Sequence, residues 1–324
     1  MTNRKAISRL SFLLFVVSIF SFQASSFAQK YLGSRLEILS TTELNADVQS
    51  PIDLLHETWV RSDLDVPNLG NSNNWVWARL DLDPVIDAGL SVEIAYATID
   101  SLQVFMVCDG VVKSKSSAGA TIPRSLREQQ LGNYPSFPIP VEDCTKLTCY
   151  IRAWSGKQIL LPVRVAGSQK LLTDGHYRDV FFAIYFGVVI SLLIYNLFLY
   201  FSVKDRNYLQ YVLFIIAVGG TQLVLNGYDR VFELISSPWL ALRITQIFGI
   251  LSGVFSILFV RNFLHLKLKA PLYYKIFGWL YIPYVFASIL LVLGYFNSSY
   301  DMINVSALSI VLLVPVSIKV WRSG

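Results

Sequence analysis

Two short stretches in the first half of the chain carry residues of types and spacing suited to holding a ligand. Trp75, Trp77 and Arg79 alternate along one, and Tyr150, Arg152 and Trp154 alternate along the other. In an extended strand, residues two apart point to the same face, so each stretch would present aromatic rings beside a guanidinium. Aromatic faces stack on sugar rings, and guanidinium forks bind carboxylates or hydroxyls. The chemistry indicated is recognition of a small molecule or carbohydrate. The competing reading is that Trp77 and Trp154 pack under a loop or in a second sheet, because buried aromatics are common in small β domains. Arg124 and Arg127, in a polar segment, are further candidates, with plain solvation as their competing reading.

Signals for catalysis are absent from the sequence. His56, His176 and His265 are scattered among segments of different character, which gives neither a metal cluster nor a triad. There is no glycine-rich phosphate loop, kinase signature or nucleophile elbow. Asp81 and Asp83 read as a solvated pair. No catalytic residue, metal or cofactor is expected, and the residues present do not describe an enzyme. The chain has 3 cysteines, in keeping with an oxidising compartment. Cys144 and Cys149 bracket Thr145-Lys146-Leu147, a spacing that a hairpin disulfide could close, and Cys108 would remain a buried thiol. Other pairings of the same cysteines stay open.

The elements that must position these residues are short strands. Residues 75–82 alternate strictly, with Val76, Ala78, Leu80 and Leu82 on one face. Residues 101–108 and 111–115 flank Asp109-Gly110, a dipeptide suited to a type I′ hairpin turn. Residues 148–154 alternate again, and 92–98 and 160–165 complete a series separated by Gly, Pro and Asp. Such a series predicts a β sandwich or jelly roll.

The second half of the chain has a different character. Five apolar stretches, at about 180–201, 208–225, 244–260, 276–295 and 303–320, approach the roughly 20 residues a helix needs to cross a bilayer. In hydrocarbon every backbone polar group must be satisfied internally, so helices are the structure expected. The N-terminus carries a separate signal: Arg4, Lys5 and Arg9, then an apolar core over 10–20, then Ser26-Phe27-Ala28. That is the pattern of a signal peptide cleaved after Ala28, with an uncleaved anchor as the alternative. The organisation expected is a signal peptide over 1–28, an exported β domain over 29–170 and a helical bundle over 171–324.

Charge fixes the orientation. Lys204 and Arg206 mark one cytoplasmic loop, and Arg261, Lys267, Lys269 and Lys275 mark a second. The loop over 294–302 contains neither Lys nor Arg. This is the positive-inside asymmetry, reached independently of the signal peptide. It absorbs most of the net charge of +5, and no nucleic-acid partner is expected.

Several residues resemble those of a known family. Trp77-Ala78-Arg79 in an early strand is followed by the strand over 100–107, the Asp109-Gly110 turn, Gly119, Arg124 and Arg127, and Phe137-Pro138-Ile139. In the apolar half, Tyr195-Asn196 lies late in the first span and Asp205-Arg206-Asn207-Tyr208-Leu209 with Tyr211 opens the second. Asn226-Gly227 closes that span, and Pro238 precedes the third. The order of these motifs resembles the bacterial seven-transmembrane receptors with diverse intracellular signalling modules. One departure is Ala120, which follows Gly119 where members usually carry an acidic residue. The resemblance implies a carbohydrate-binding-like external domain, seven spans and a cytoplasmic output such as a kinase or cyclase. A chain with five spans therefore reads as C-terminally truncated.

The function expected is a receptor of the bacterial inner membrane whose periplasmic domain binds a small ligand and whose bundle relays its state inward. The partners expected are that ligand, the lipid bilayer and a cytoplasmic signalling partner, and a homodimer is compatible with the same features. The alternative is a secondary transporter with a periplasmic accessory domain. It lacks the intramembrane ionisable residues that ion pathways generally use. The topology makes a direct prediction: a reporter fused after Lys204 or Lys269 is cytoplasmic, and one fused after Ser299 is external. External activity of the Lys269 fusion would refute the arrangement of spans.

Overall fold

The computed structural model describes residues 31–39, 48–54, 56–71, 74–82, 89–122, 132–140 and 144–311. The expected signal peptide, Arg124, Arg127 and Asp83 lie outside them. The strands and helices belong to one unit, Leu32–Gly324.

The first half is built of antiparallel strands. They are β1 (Glu37–Leu39), β2 (Trp59–Arg61), β3 (Val76–Leu82), β4 (Leu90–Ile94), β5 (Ser101–Cys108), β6 (Val111–Ala118), β7 (Ser136–Pro138), β8 (Leu147–Trp154) and β9 (Val163–Gly167). A six-stranded sheet runs β2-β1-β3-β8-β5-β6, and a three-stranded sheet runs β7-β4-β9. One core joins them: Ala78, Leu80, Leu102, Val104, Met106, Ile151 and Ala153 from the larger sheet meet Val92, Ile94, Phe137 and Val163 from the smaller. Asp109 and Gly110 have φ of 48° and 82°, the left-handed pair that the Asp-Gly turn between β5 and β6 requires. The strand expected over 92–98 ends at Ile94, and Leu160 makes only an isolated bridge to Asn68 before β9 begins.

β8 is buried along almost its whole length, although its sequence alternates. The reason is a second cluster on the outer face of the larger sheet. Trp77, Phe105, Val107 and Tyr150 pack there against Leu54, with Leu39, Val48 and Trp59 around them. The 3-10 turn Pro51–Leu54 carries Leu54 onto that face. A central strand covered on both sides loses the polar-out half of its pattern.

The second half is helical: α1 (Ser168–Val203), α2 (Arg206–Leu225), α3 (Tyr228–Val231), α4 (Pro238–Phe263), α5 (Leu266–Lys269), α6 (Pro271–Trp279), α7 (Tyr281–Leu293) and α8 (Phe296–Val311). Four helical stretches are long and apolar enough to cross a membrane: Ser168–Val203, Arg206–Leu225, Pro238–Phe263 and Pro271–Leu293. The fifth expected span begins within α8 and runs on beyond the described residues. α1 follows β9 without a loop. Its 36 residues make it about 54 Å long, well beyond the ~30 Å hydrocarbon core, and its first turns lie against β9, where Arg164 pairs with Asp174. Lys204 takes the left-handed conformation at the end of α1, and the Asp205 side chain accepts the Asn207 N–H to cap α2.

Small residues let the helices approach. Gly219 faces Val189 of α1, and the next residue, Gly220, lies against the Phe248 ring of α4, so the pair serves two neighbours. Gly253 of α4 receives the buried ring of Tyr284 from α7. Many polar side chains in the spans bond within their own helix. Asn196 donates to the Leu192 carbonyl, Thr221 to Ala217 and Ser288 to Tyr284. The free lone pair of the i−4 carbonyl is the nearest acceptor in hydrocarbon, and it pre-empts much of the interhelical bonding such residues suggest.

A Gly253→Val substitution tests this packing. A branched side chain would occupy the Tyr284 ring site, and overpacking of this kind costs about 1–3 kcal/mol. The detergent-solubilised variant should melt below the wild type, whereas Gly187→Ala, with open space around its Cα, should melt close to it.

Candidate functional site

The outer face of the six-stranded sheet brings the candidate residues of β3 and β8 into one array. Trp77 is opposite Arg152, Arg152 is opposite Gln103 of β5, and Gln103 is opposite Ser117 of β6. The Arg152 guanidinium lies 4.1 Å from the Trp75 ring centroid and 5.6 Å from that of Trp77. Its Nη1 donates to Gln103 Oε1 at 3.1 Å. Trp75 and Trp154 face each other with centroids 6.4 Å apart and an interplanar angle of 41°. Arg152 is only 5% exposed, and burial lowers its pKa from the ordinary guanidinium value. A guanidinium titrates so high that it keeps its charge at neutral pH.

These residues do not play equal parts. Trp75 and Trp154 are half-exposed and can offer ring surface. Trp77 is 3% exposed and stacks on Phe105 at 5.7 Å, so it backs the array from within the second cluster. Arg79 belongs to a separate cleft of about 180 Å³, lined by Arg35, Glu37, Arg61, Arg79 and Asp81. There Arg79 forms an ion pair with Glu37 at 2.6 Å and covers the Trp59 ring at 4.7 Å. The segment that carries Leu54 and Trp59 sits over the middle of the face. It leaves an aromatic end around Trp75, Arg152 and Trp154 and a charged end around Arg79.

A second site was not foreseen from sequence, and it begins one residue past Trp154. Ser155, Gly156 and Lys157 leave β8 and fold over Asp100, the residue just before β5. The Asp100 carboxylate accepts from Lys157 Nζ at 2.5 Å, Ser155 Oγ at 2.9 Å and the Gly156 N–H at 2.9 Å. Asp100 and Lys157 have side chains 0% and 2% exposed. The Asp100 carbonyl accepts from Thr121 N at 2.9 Å and Thr121 Oγ1 at 2.6 Å. Gly119, at φ 121°, lies so close to that carbonyl that a Cβ would meet its oxygen at 2.5 Å. Glycine is thus required by both conformation and space.

This loop is where the sheets meet the bundle. Gly156 sits on the Phe296 side chain of α8, and a Cβ there would stand 2.8 Å from Phe296 Cβ. Gln246 of α4 donates through Nε2 to the Phe296 carbonyl at 2.9 Å and more weakly to the Gly156 carbonyl at 3.5 Å. Two further ties lie alongside. Asn133 donates to the Asn226 carbonyl at 2.8 Å and accepts from Arg178 of α1 at 2.6 Å, while the Arg230 guanidinium donates to the Ala97 carbonyl. Arg164 of β9 bonds Glu93 at 2.5 Å and Asp174 of α1 at 2.7 Å, which fixes the angle at which α1 leaves the sheet. The buried Asp229 carboxyl lies in the same region, and burial raises its pKa.

No group of His, Cys, Asp and Glu suited to a metal is present among the described residues. His56, His176 and His265 are all exposed.

Comparison with known families agrees with this division of the chain. Residues 33–166 match the model described as 7TMR-DISM extracellular 2, and residues 178–324 match the model described as 7TM diverse intracellular signalling. Both are modules of one receptor class, in which an extracellular domain is carried on membrane helices. The chain belongs to the 7TM receptors with diverse intracellular signalling, and its role is that of a membrane receptor. No curated protein matches it.

The joint yields a prediction about stability. Removing one partner of a buried ion pair strands the other charge and typically costs about 3–5 kcal/mol, whereas replacing both with apolar residues of similar size is far milder. Thermal unfolding of the full chain in detergent, followed by circular dichroism, should show Asp100→Leu and Lys157→Met each melting well below the double variant. A double variant as unstable as the two singles combined would mean that the pair is not coupled.

Proposed function

We propose that the chain is a sensory receptor of the bacterial inner membrane. Its exported domain, about residues 29–170, is a jelly roll that recognises a small polar ligand of the carbohydrate class on the outer face of its larger sheet. Residues 171–324 supply five of the family's seven spans, and the signal peptide over 1–28 delivers the domain to the periplasm. The bundle passes the ligand's effect to a cytoplasmic output module or signalling partner.

One observation carries this reading: the aromatic array and the membrane joint are contiguous in sequence. Trp154 contributes to the array, and Ser155, Gly156 and Lys157 form the joint. A sugar ring laid over the exposed parts of Trp75 and Trp154 would lie beside the Arg152 guanidinium, which Gln103 and its aromatic neighbours already orient. Pre-ordering of this kind lowers the entropy lost on binding. Any shift of Trp154 is felt one peptide later by Ser155, and two peptides later by Gly156, which rests on Phe296 and bonds Gln246. A ligand that favours one of two positions of Trp154 would therefore favour one of two seatings of α4 and α8, as a population shift requires.

The test is binding across a panel of glycans and metabolites, with folding checked for each variant. Trp75→Ala and Trp154→Ala should stay folded and lose on the order of 1–3 kcal/mol of binding, as expected when stacked aromatics are truncated. Trp77→Ala should instead lose about 3–5 kcal/mol of stability, because it opens a cavity against Phe105. Normal binding by Trp75→Ala, Trp154→Ala and Arg152→Lys together would place the ligand elsewhere. The charged cleft around Arg79 would be the next face to examine.

A further inference from the structure

The spacing of Cys144 and Cys149 suggests a hairpin bridge, but the structure gives Cys144 a different neighbour. Cys149 lies inside β8, held straight between β3 and β5, with Leu80 and Met106 opposite it. Leu147 and Cys149 are about 7 Å apart along the strand at ~3.4 Å per residue, and Cys144 belongs to the segment that precedes β8, drawn toward Asp109 and not toward Cys149. A disulfide needs Cα atoms within roughly 7 Å. Cys149 is wholly buried, and burial alone pushes its thiol up to about 12.

Cys144 is carried to the other end of the turn. The Asp109 carboxylate accepts from Thr145 N at 3.1 Å, Thr145 Oγ1 at 2.5 Å and Lys146 N at 2.9 Å. The Asp109 N–H in turn donates to the Lys146 carbonyl at 3.0 Å. These bonds lower the Asp109 carboxyl's pKa from its ordinary value, so the clamp stays charged. It folds the segment ahead of β8 across the β5–β6 turn. Cys144 is thereby laid, half-buried, against the core that contains Cys108: each cysteine directly precedes a member of the Thr145–Asp109 contact, which makes the two thiols neighbours.

We propose that Cys108 and Cys144 form a disulfide in the exported protein and that Cys149 remains a core thiol. Cys144 is the more exposed of the pair and is the nucleophile. Its thiolate, having given its proton to solvent, attacks a disulfide-bearing oxidant of the exported compartment and expels one oxidant thiolate. Cys108 Sγ then attacks Cys144 Sγ in the mixed disulfide and expels the second. Two protein thiols become one disulfide, and the oxidant leaves as a dithiol carrying the two electrons and two protons. The product ties the end of β5 to the start of β8, adding a covalent link to the Asp109 clamp.

The experiment is thiol mapping on the full chain, exported and kept in its membrane. Free thiols are alkylated under denaturing conditions without reductant, and the protein is digested with trypsin. Cleavage at Arg79, Lys113, Arg127, Lys146 and Arg152 puts the cysteines in separate peptides, 80–113, 128–146 and 147–152. The proposal expects 80–113 linked to 128–146 and alkylated Cys149 in 147–152. Cys149→Ser should leave that link intact, whereas Cys108→Ser should release Cys144 for alkylation. Alkylation of all the cysteines in the wild-type protein, or a link that involves 147–152, would overturn it. The wild-type map decides the matter even if a variant fails to fold.

Discussion

Lys157 reaches the Asp100 carboxylate at 2.5 Å in a place where both side chains are almost fully withdrawn from water. Desolvating two charges is expensive, and their attraction offsets the cost only where further hydrogen bonds complete the site. Ser155 Oγ and the Gly156 N–H supply them. The conformation of the loop after β8 is therefore dictated by the pair, and with it the position of Gly156 against Phe296. A buried pair of this kind is better understood as fixing geometry than as adding stability. An apolar pair would hold the layers together, but it would not specify which peptide N–H points at which oxygen.

From that fixed point the rest of the joint can be understood as a set of ties with different stiffness. The continuous passage from β9 into α1, braced by Arg164 between Glu93 and Asp174, is rigid because it is charged, buried and loop-free. The contact at Gln246 is softer, with one good bond to Phe296 and a long one to Gly156. A receptor needs both kinds of connection. The stiff one keeps the sheets registered on α1, and the soft one couples α4 and α8 to the loop through a single good hydrogen bond. Packed interfaces tend to be bistable rather than continuously deformable, so small displacements at Gly156 can select between discrete arrangements.

How much of this was legible in the sequence depended on how local each signal was. The Asp109-Gly110 turn was legible because the left-handed conformation it needs is written in two adjacent residues. The alternation of Trp75, Trp77 and Arg79 was legible as a face, but not what covers it: Trp77 is buried by Leu54, which belongs to a segment with no regular period. The Asp100–Lys157 pair was not legible at all. Its members sit in two loops, and neither residue type announces burial; an aspartate or lysine is ordinarily solvated. Gly119 was visible as a motif residue, yet its reason, close passage over the Asp100 carbonyl, lies in that same buried loop. In the bundle, apolar length was plain from composition, while the break at Leu280 between α6 and α7 was not.

The same distinction bears on where ligand specificity can reside. The aromatic end of the outer face is built from β3 and β8, central strands whose registers are pinned on both sides. The charged cleft at Arg79 lies among β1, β2 and β3, and β1 and β2 are short, with exposed residues along β2. Its charged groups are already engaged: Arg79 pairs with Glu37, Arg35 and Arg61 donate to the Asp81 and Ser34 carbonyls, and Asp81 pairs with Lys146. A ligand there would have to displace existing ion pairs and would gain little net energy in exchange, since exposed pairs are worth at most about 1 kcal/mol each. At the aromatic end Trp75 and Trp154 are only partly buried, with the Arg152 guanidinium resting on the Trp75 ring, so part of their ring surface is open to water. The proposed ligand site is therefore the end of the sheet that also adjoins the membrane joint, one residue from the loop in which Ser155, Gly156 and Lys157 are held on Asp100.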